Sequence, residues 1–103
     1  MNGSVDGISR INDREVKISG WLADPDGDAT PLSIMVFVSG PVAATTRTQG
    51  ERPDVTHHMA LSFGAEKNVA FEVSFGCPIG SQPVVVGLGT NKTYFPLPSP
   101  PCP

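Results

Sequence analysis

Alternation of apolar and polar residues with a period of two is the feature that most limits the fold of this chain. The clearest run covers residues 68–75, where one set of alternate positions is apolar: Val69, Phe71, Val73 and Phe75. Successive side chains of a β-strand point to opposite faces, so this run predicts a strand with one buried face. In residues 32–39 both alternate sets contain apolar residues, which predicts a central strand with Leu32, Ile34, Val36 and Val38 on its inner face.

Further short runs have the same pattern: residues 4–11, 14–23, 42–48, 83–88 and 93–97. The run 83–88 is expected to bury Val84, Val86 and Leu88 and to form a hairpin with 93–97. Trp21 is three positions after Ile18, so strict alternation would place these two side chains on opposite faces of the strand. We therefore expect a β-bulge at Gly20 that changes the direction of the Trp21 side chain. Turn residues separate these runs, and 11 Gly and 11 Pro are typical of many turns. The prediction is an all-β, immunoglobulin-like sandwich of about seven antiparallel strands.

Length sets the domain organisation. A chain of 103 residues forms one domain with one modest core. We assign the sandwich to residues 1–95 and a Pro-rich tail to residues 96–103, which is expected to be extended, polyproline-like and on the surface. A single helical turn is expected at residues 52–55.

Charge and hydropathy exclude several classes of partner. The net charge is −3 and the seven basic residues are scattered, which disfavours nucleic acid. Membrane insertion is not expected, because no window approaches the roughly 18 consecutive apolar residues of a membrane-spanning helix. The first seven residues lack the pattern of an export signal. Two explanations fit this N-terminal sequence. The chain is a domain excised from a longer protein, or the protein reaches its place without secretion.

The two cysteines, Cys77 and Cys102, lack the close spacing of metal or redox sites. A disulfide between them would tie the Pro-rich end to the sheet and contribute roughly 3–4 kcal/mol on the loop-entropy model. The alternative is two free thiols, one in a turn and one in the tail.

Two groups of residues are metal candidates. Asp24, Asp26 and Asp28 alternate as in a calcium loop, but the glycine position and the bidentate Glu of the helix-loop-helix pattern are missing, so we favour a solvated acidic turn. His57 and His58 are adjacent and therefore diverge on a strand or a helix, which disfavours zinc. We expect no metal and no cofactor.

Four residues are candidates for ligand binding. Arg52 and Asp54 flank Pro53, where we favour an ion pair that pins a long connection, with a recognition arginine as the alternative. Trp21 and Tyr94, together with Phe37 and Phe95, would form an aromatic platform for sugars if exposed. A lone Trp in a small sandwich is more often part of the core.

Enzyme chemistry is not expected. The sequence has no nucleophile paired with a base, no two carboxylates in an apolar setting and no phosphate-binding loop. The fragment Gly87-Leu88-Gly89 closes a strand instead of opening a helix, which is the wrong setting for a glycine-rich phosphate site.

The chain resembles a bacterial β-rich accessory repeat module of secreted and cell-surface proteins, some of which are linked to amidases and glycosyltransferases. The matching segments span most of residues 3–90 in order: Gly3-Ser4-Val5-Asp6, a Gly-Trp-x-x-Asp-Pro-Asp motif at 20–26, Val36-Phe37-Val38-Ser39-Gly40, Arg52-Pro53-Asp54-Val55, Phe71-Glu72-Val73, Gly80 and Val84-Val85-Val86. The resemblance implies a non-catalytic domain in which the Trp and the Arg-x-Asp loop are structural. A Cys pair in the last third is similar to some actinobacterial versions, although the first Cys differs in position.

The predicted function is a non-catalytic, extracellular or cell-surface binding module, directed to a glycan, the cell wall or another protein. The alternative is a structural virion protein, such as a phage decoration or tail domain, acting in assembly or host-surface attachment. That alternative includes a homo-oligomer or a larger assembly.

Overall fold

The computed structural model describes residues 2–23, 32–50, 69–89 and 94–103, with the backbone alone at Asn2. The expected helical turn at 52–55 lies outside these residues. Within them the chain forms seven strands and no helix. The strands are β1 (Asn2–Arg10), β2 (Glu15–Ala23), β3 (Ser33–Phe37), β4 (Val42–Arg47), β5 (Ala70–Gly76), β6 (Val84–Leu88) and β7 (Tyr94–Leu97).

The strands form two antiparallel sheets. A three-stranded sheet has the order β1-β2-β5, and a four-stranded sheet has the order β4-β3-β6-β7. This is an immunoglobulin-like order in which β4 joins the sheet of β3, β6 and β7. The fold-class prediction is confirmed, including the central place of β3 and the hairpin of β6 with β7.

One core lies between the sheets. The three-stranded sheet contributes Val16, Ile18, Leu22, Phe71, Val73 and Phe75, and the four-stranded sheet contributes Ile34, Val36, Val85 and Leu97. Alternation therefore identified the inner faces of β3 and β5 correctly. Val69 differs, because it packs with Ala23 and Trp21 in a separate small cluster. It precedes β5, and its N–H is donated to the carbonyl of Gly50.

The expected bulge at Gly20 is wrong. Gly20 pairs with Phe71 in an unbroken β2–β5 register, so ordinary alternation places Trp21 on the outer face of the three-stranded sheet. The register shift lies in β1, between Val5 and Gly7. Val5 and Ile8 are three positions apart, and the extra residue of the bulge lets both pack against the core.

The expected inner face of β6 is also wrong. Val85 is buried, whereas Val84 is 53% exposed and Val86 and Leu88 are half-buried. Gly87 lies on the inner face with Val85, and a Cβ atom there would collide with the side chain of Leu22. The side chain of Leu22 therefore fills the space beside Gly87. This contact determines which alternate residues of β6 face the core.

The C-terminal segment is anchored to the sandwich. Its five prolines are exposed as expected, but Leu97 and Cys102 are buried. β7 continues to Leu97, and beyond it the N–H of Cys102 is donated to the carbonyl of Ser81 at 2.8 Å. The N–H of Gly80 is donated to the carbonyl of Cys102 at 2.9 Å. Residues 98–103 thus run along the β5–β6 connection.

A disulfide joins Cys77 and Cys102, which selects the bridged alternative over free thiols. The guanidinium of Arg10 donates hydrogen bonds beside it, to the carbonyls of Cys77 at 2.7 Å and Asn12 at 3.1 Å, and also to the carbonyl of Pro103. The bridge and this arginine hold the end of β1, the β5–β6 connection and the C-terminal segment together.

Glycine at position 20 is required by the packing of β1 on β2. A Cβ atom there would collide with the carbonyl oxygen of Ser4 and lie 2.9 Å from the Phe71 ring. We expect Gly20→Ala to lower the free energy of unfolding by about 2 kcal/mol or more, because a backbone atom cannot yield as a flexible side chain can. Urea unfolding measures this. Gly7→Ala is the matched control: nothing lies within 4 Å of its Cβ position, and it should change stability by less than about 0.5 kcal/mol. Equal losses of unfolding free energy in Gly20→Ala and Gly7→Ala would contradict the close contact assigned to Gly20.

The disulfide joins two cysteines that are 25 residues apart in the sequence. For a closed loop of that length, the loop-entropy model gives about 3.5 kcal/mol of stabilisation. We expect the Cys77→Ala, Cys102→Ala double variant to melt about 10–20 °C below the oxidised protein. Thermal unfolding followed by circular dichroism checks this, with dithiothreitol-treated wild type as the comparison. A melting temperature within about 2 °C of the oxidised protein would show that the bridge adds nothing.

Candidate binding surfaces

The sequence-predicted ligand residues do not form one described site. Trp21 is half-buried on the outer face of the three-stranded sheet, where it packs on Ala23 and Val69. Tyr94 is 62% exposed and lies on the outer face of the four-stranded sheet. These faces point away from each other. Arg52 and Asp54 lie outside the described residues, as do His57, His58 and the calcium candidates Asp24, Asp26 and Asp28.

The expected aromatic platform is likewise divided. Phe95 packs against the main core, whereas Phe37 is half-buried on the outer face that carries Tyr94. Phe37 and Tyr94 belong to cross-strand rows at different heights of that face. The four aromatic side chains therefore cannot contact one sugar ring together.

A corner built by residues 48–50 brings the two sheets together at one edge. Thr48 is buried, and its Oγ1 accepts a hydrogen bond from the N–H of Leu32 at 2.8 Å. The N–H of Gln49 is donated to the carbonyl of Ala70 at 2.6 Å. Since Leu32 leads into β3 and Ala70 begins β5, this corner places the edge strand β4 beside the edge strand β5.

A cleft of about 400 Å³ opens beside this corner. Its lining combines residues of β1, β2 and β5 with residues of β4 and the corner itself. The polar lining residues are Asp6, Ser19, Thr46, Arg47, Gln49 and Glu72, and the remainder are Gly20, Ala70 and Phe71. We call this cavity the corner cleft.

The polar groups of the corner cleft are mixed in sign and in hydrogen-bonding type. Two carboxylates accept, a guanidinium donates, and an amide and two hydroxyls do both. Glu72 is an exposed carboxylate, with a side chain 64% accessible and 3.6 Å from the ammonium of Lys17. Within the described part of the chain, the side chains of Arg47 and Gln49 have no hydrogen-bond or ion-pair partner.

The second candidate surface is the outer face of the four-stranded sheet. Its apolar residues lie in three cross-strand rows, mainly on β3, β6 and β7: Val42, Phe37 and Val84; Met35, Val86 and Pro96; and Leu88 with Tyr94. We call these eight residues the outer apolar face. Ser33, Thr45 and Arg47 form its polar margin toward β4.

Sequence reasoning missed both surfaces. The outer apolar face had a signal in Met35 and Phe37 and in the unbroken run Val84-Val85-Val86, where apolar residues occupy both faces. The corner cleft had none, because Arg47 and Glu72 are far apart in sequence and neither belongs to a motif.

Metal binding and membrane crossing can be assessed for the described residues. These residues include no group of three or more His, Cys, Asp or Glu side chains placed to hold a metal ion. Nor do they include a helix with the length and apolar character needed to cross a bilayer.

Comparison with known proteins leaves the family open. No protein-family model matches the chain, and neither the curated proteins nor the solved structures give a significant match. The resemblance to a bacterial accessory module therefore stays a prediction.

Proposed function

We propose that this chain is a non-catalytic binding module that recognises a neutral carbohydrate in the corner cleft. The observation that carries the proposal is the lining of the cleft. It gathers two carboxylates, one guanidinium, one amide and two hydroxyls around a cavity of about 400 Å³.

The chemistry of this lining suits a sugar. Each hydroxyl of a sugar is both a donor and an acceptor, so it is bound best by a mixture of carboxylates, amides and guanidinium groups. A polyanion would meet Asp6 and Glu72 in the cleft and a net charge of −3 on the chain. A neutral ligand avoids this repulsion.

Binding is favoured over catalysis by the setting of the carboxylates. A glycosidase acid needs a carboxyl group kept protonated by apolar surroundings. Asp6 and Glu72 are both exposed, and Glu72 also lies beside an ammonium group. Neither has the dry environment that general acid catalysis requires.

An extracellular or cell-surface location is part of the proposal. The Cys77–Cys102 disulfide is compatible with it, because structural disulfides persist in oxidising compartments. In such a location, glycans of a cell wall or of a host surface are the available carbohydrates.

Glycan-array binding followed by titration calorimetry tests the proposal. We expect a neutral oligosaccharide to bind the wild type, and both Arg47→Ala and Glu72→Gln to weaken binding about tenfold or more through loss of a charged hydrogen-bonding group. Arg14→Ala and Glu15→Gln are matched controls, because both residues are exposed and outside the cleft. They should bind as the wild type does.

The melting temperatures of all four variants must stay close to that of the wild type, so that a loss of binding is not a loss of folding. Absence of binding to any neutral glycan, or equal losses in the cleft variants and their controls, would refute the proposal. Hydrolysis of a bound glycan would replace the binding role with an enzymatic one.

A further inference from the structure

The C-terminal segment, residues 98–103, carries an inference that is independent of the proposed carbohydrate site. The exposure of its side chains repeats every three residues: Ser99 is half-buried and Cys102 is buried, whereas the residues beside them are exposed. These exposed residues are all prolines: Pro98, Pro100, Pro101 and Pro103. The solvent-facing surface of the segment therefore consists of proline rings.

A period of three indicates a polyproline II conformation, which has three residues per turn. Proline fixes φ at about −65°, and a residue that precedes proline is held in the β or polyproline II region. Each of residues 98–103 is a proline or precedes one, and none has a positive φ. The segment thus has an inner edge, formed by Ser99 and Cys102, and two outer edges that carry prolines three positions apart: Pro98 with Pro101, and Pro100 with Pro103.

The inner edge is fixed to the sandwich at both of its residues. Gln82 donates a hydrogen bond from Nε2 to the carbonyl of Ser99 at 2.6 Å. Cys102 is held by its disulfide and by backbone hydrogen bonds with Gly80 and Ser81. Because these contacts already order the segment, a partner that binds it does not have to offset the conformational entropy of a free chain.

The two outer edges are uncovered by the neighbouring chain. The connections at this end of the sandwich are all described: β1–β2 at 11–14, β3–β4 at 38–41 and β5–β6 at 77–83. Among the described residues, no hydrogen bond is donated to the carbonyls of Pro98 and Pro101. A further β-strand cannot use these edges, since proline has no N–H to donate. Proline rings and free carbonyl groups are what the segment offers to a partner.

We propose that residues 98–103 are a docking surface for a partner protein whose groove is lined by aromatic side chains and reads polyproline II. Such grooves pack their rings against prolines of a preformed, extended segment. The prolines of each outer edge are about 9 Å apart along the helix axis, which is one turn. The indole N–H of a tryptophan or the hydroxyl of a tyrosine in the groove then donates to the carbonyls of Pro98 and Pro101.

Titration calorimetry of the full, oxidised chain with a panel of purified SH3 and WW domains tests the proposal. These domains supply the aromatic-lined grooves that bind polyproline II. We expect saturable binding of the wild type to at least one of them. Pro100→Ala and Pro101→Ala each remove a ring from one outer edge, and each should weaken that binding about tenfold or more.

Two matched controls separate the geometry of the edges from the proline content. Ser99→Ala changes the inner edge but keeps the carbonyl that accepts a hydrogen bond from Gln82. Pro41→Ala removes an exposed proline of the β3–β4 connection, outside the segment. Both should bind as the wild type does. Melting temperatures close to that of the wild type show that all four variants keep the fold.

A wild type that shows no saturable binding to any of these domains up to about 1 mM overturns the proposal. So does binding that survives both Pro100→Ala and Pro101→Ala, or binding that Ser99→Ala or Pro41→Ala weakens equally. Arg47→Ala changes the corner cleft and leaves residues 98–103 intact, so it should not alter this binding. The proposal and the proposed function therefore fail separately.

Discussion

The packing of Leu22 is the constraint on which the rest of this sandwich depends. Its side chain is fully buried between the sheets, and it occupies space that two glycines leave open. A Cβ atom at Gly3 would lie 2.9 Å from Leu22 Cδ1, and one at Gly87 would collide with the same side chain. At Gly3 the side chain of Leu97 and the carbonyl oxygen of Trp21 are closer still, at 2.6 and 2.8 Å, whereas at Gly87 all the close atoms belong to Leu22, which therefore sets the approach of the opposite sheet. Leu22 also decides which side of β6 faces inward, and hence which valines face outward.

Much of this fold could be predicted from local pattern, and the errors have specific causes. The pattern placed β3 at the centre of a sheet because both of its alternate sets contain apolar residues. It identified the inner face of β5 because Phe71, Val73 and Phe75 share one set of alternate positions. It failed for Val84-Val85-Val86, where three identical residues fit either parity and a contact with distant Leu22 decides. The bulge in β1 was missed for a similar reason: a register exists only between two strands, and one segment cannot show it.

The two candidate surfaces were less predictable than the fold because neither depends on a motif. The corner cleft requires Arg47 of β4 to lie near Glu72 of β5, and the hydrogen bonds of residues 48–50 create that proximity. The outer apolar face requires the correct parity of β6. The predicted residues Trp21 and Tyr94 are on opposite sides of the molecule. A role for Arg52 and Asp54 stays a prediction, since both lie outside the described residues.

The Cys77–Cys102 bridge also has a mechanical consequence. β6, its hairpin partner β7 and the Pro-rich segment all lie between the two cysteines, inside a covalently closed loop. Tension applied at the C-terminal end is transmitted through the sulfur–sulfur bond directly to the residues that follow β5. The hydrogen bonds between β6 and β7 carry none of that load, so pulling cannot peel the last strand away from its sheet while the bridge is intact.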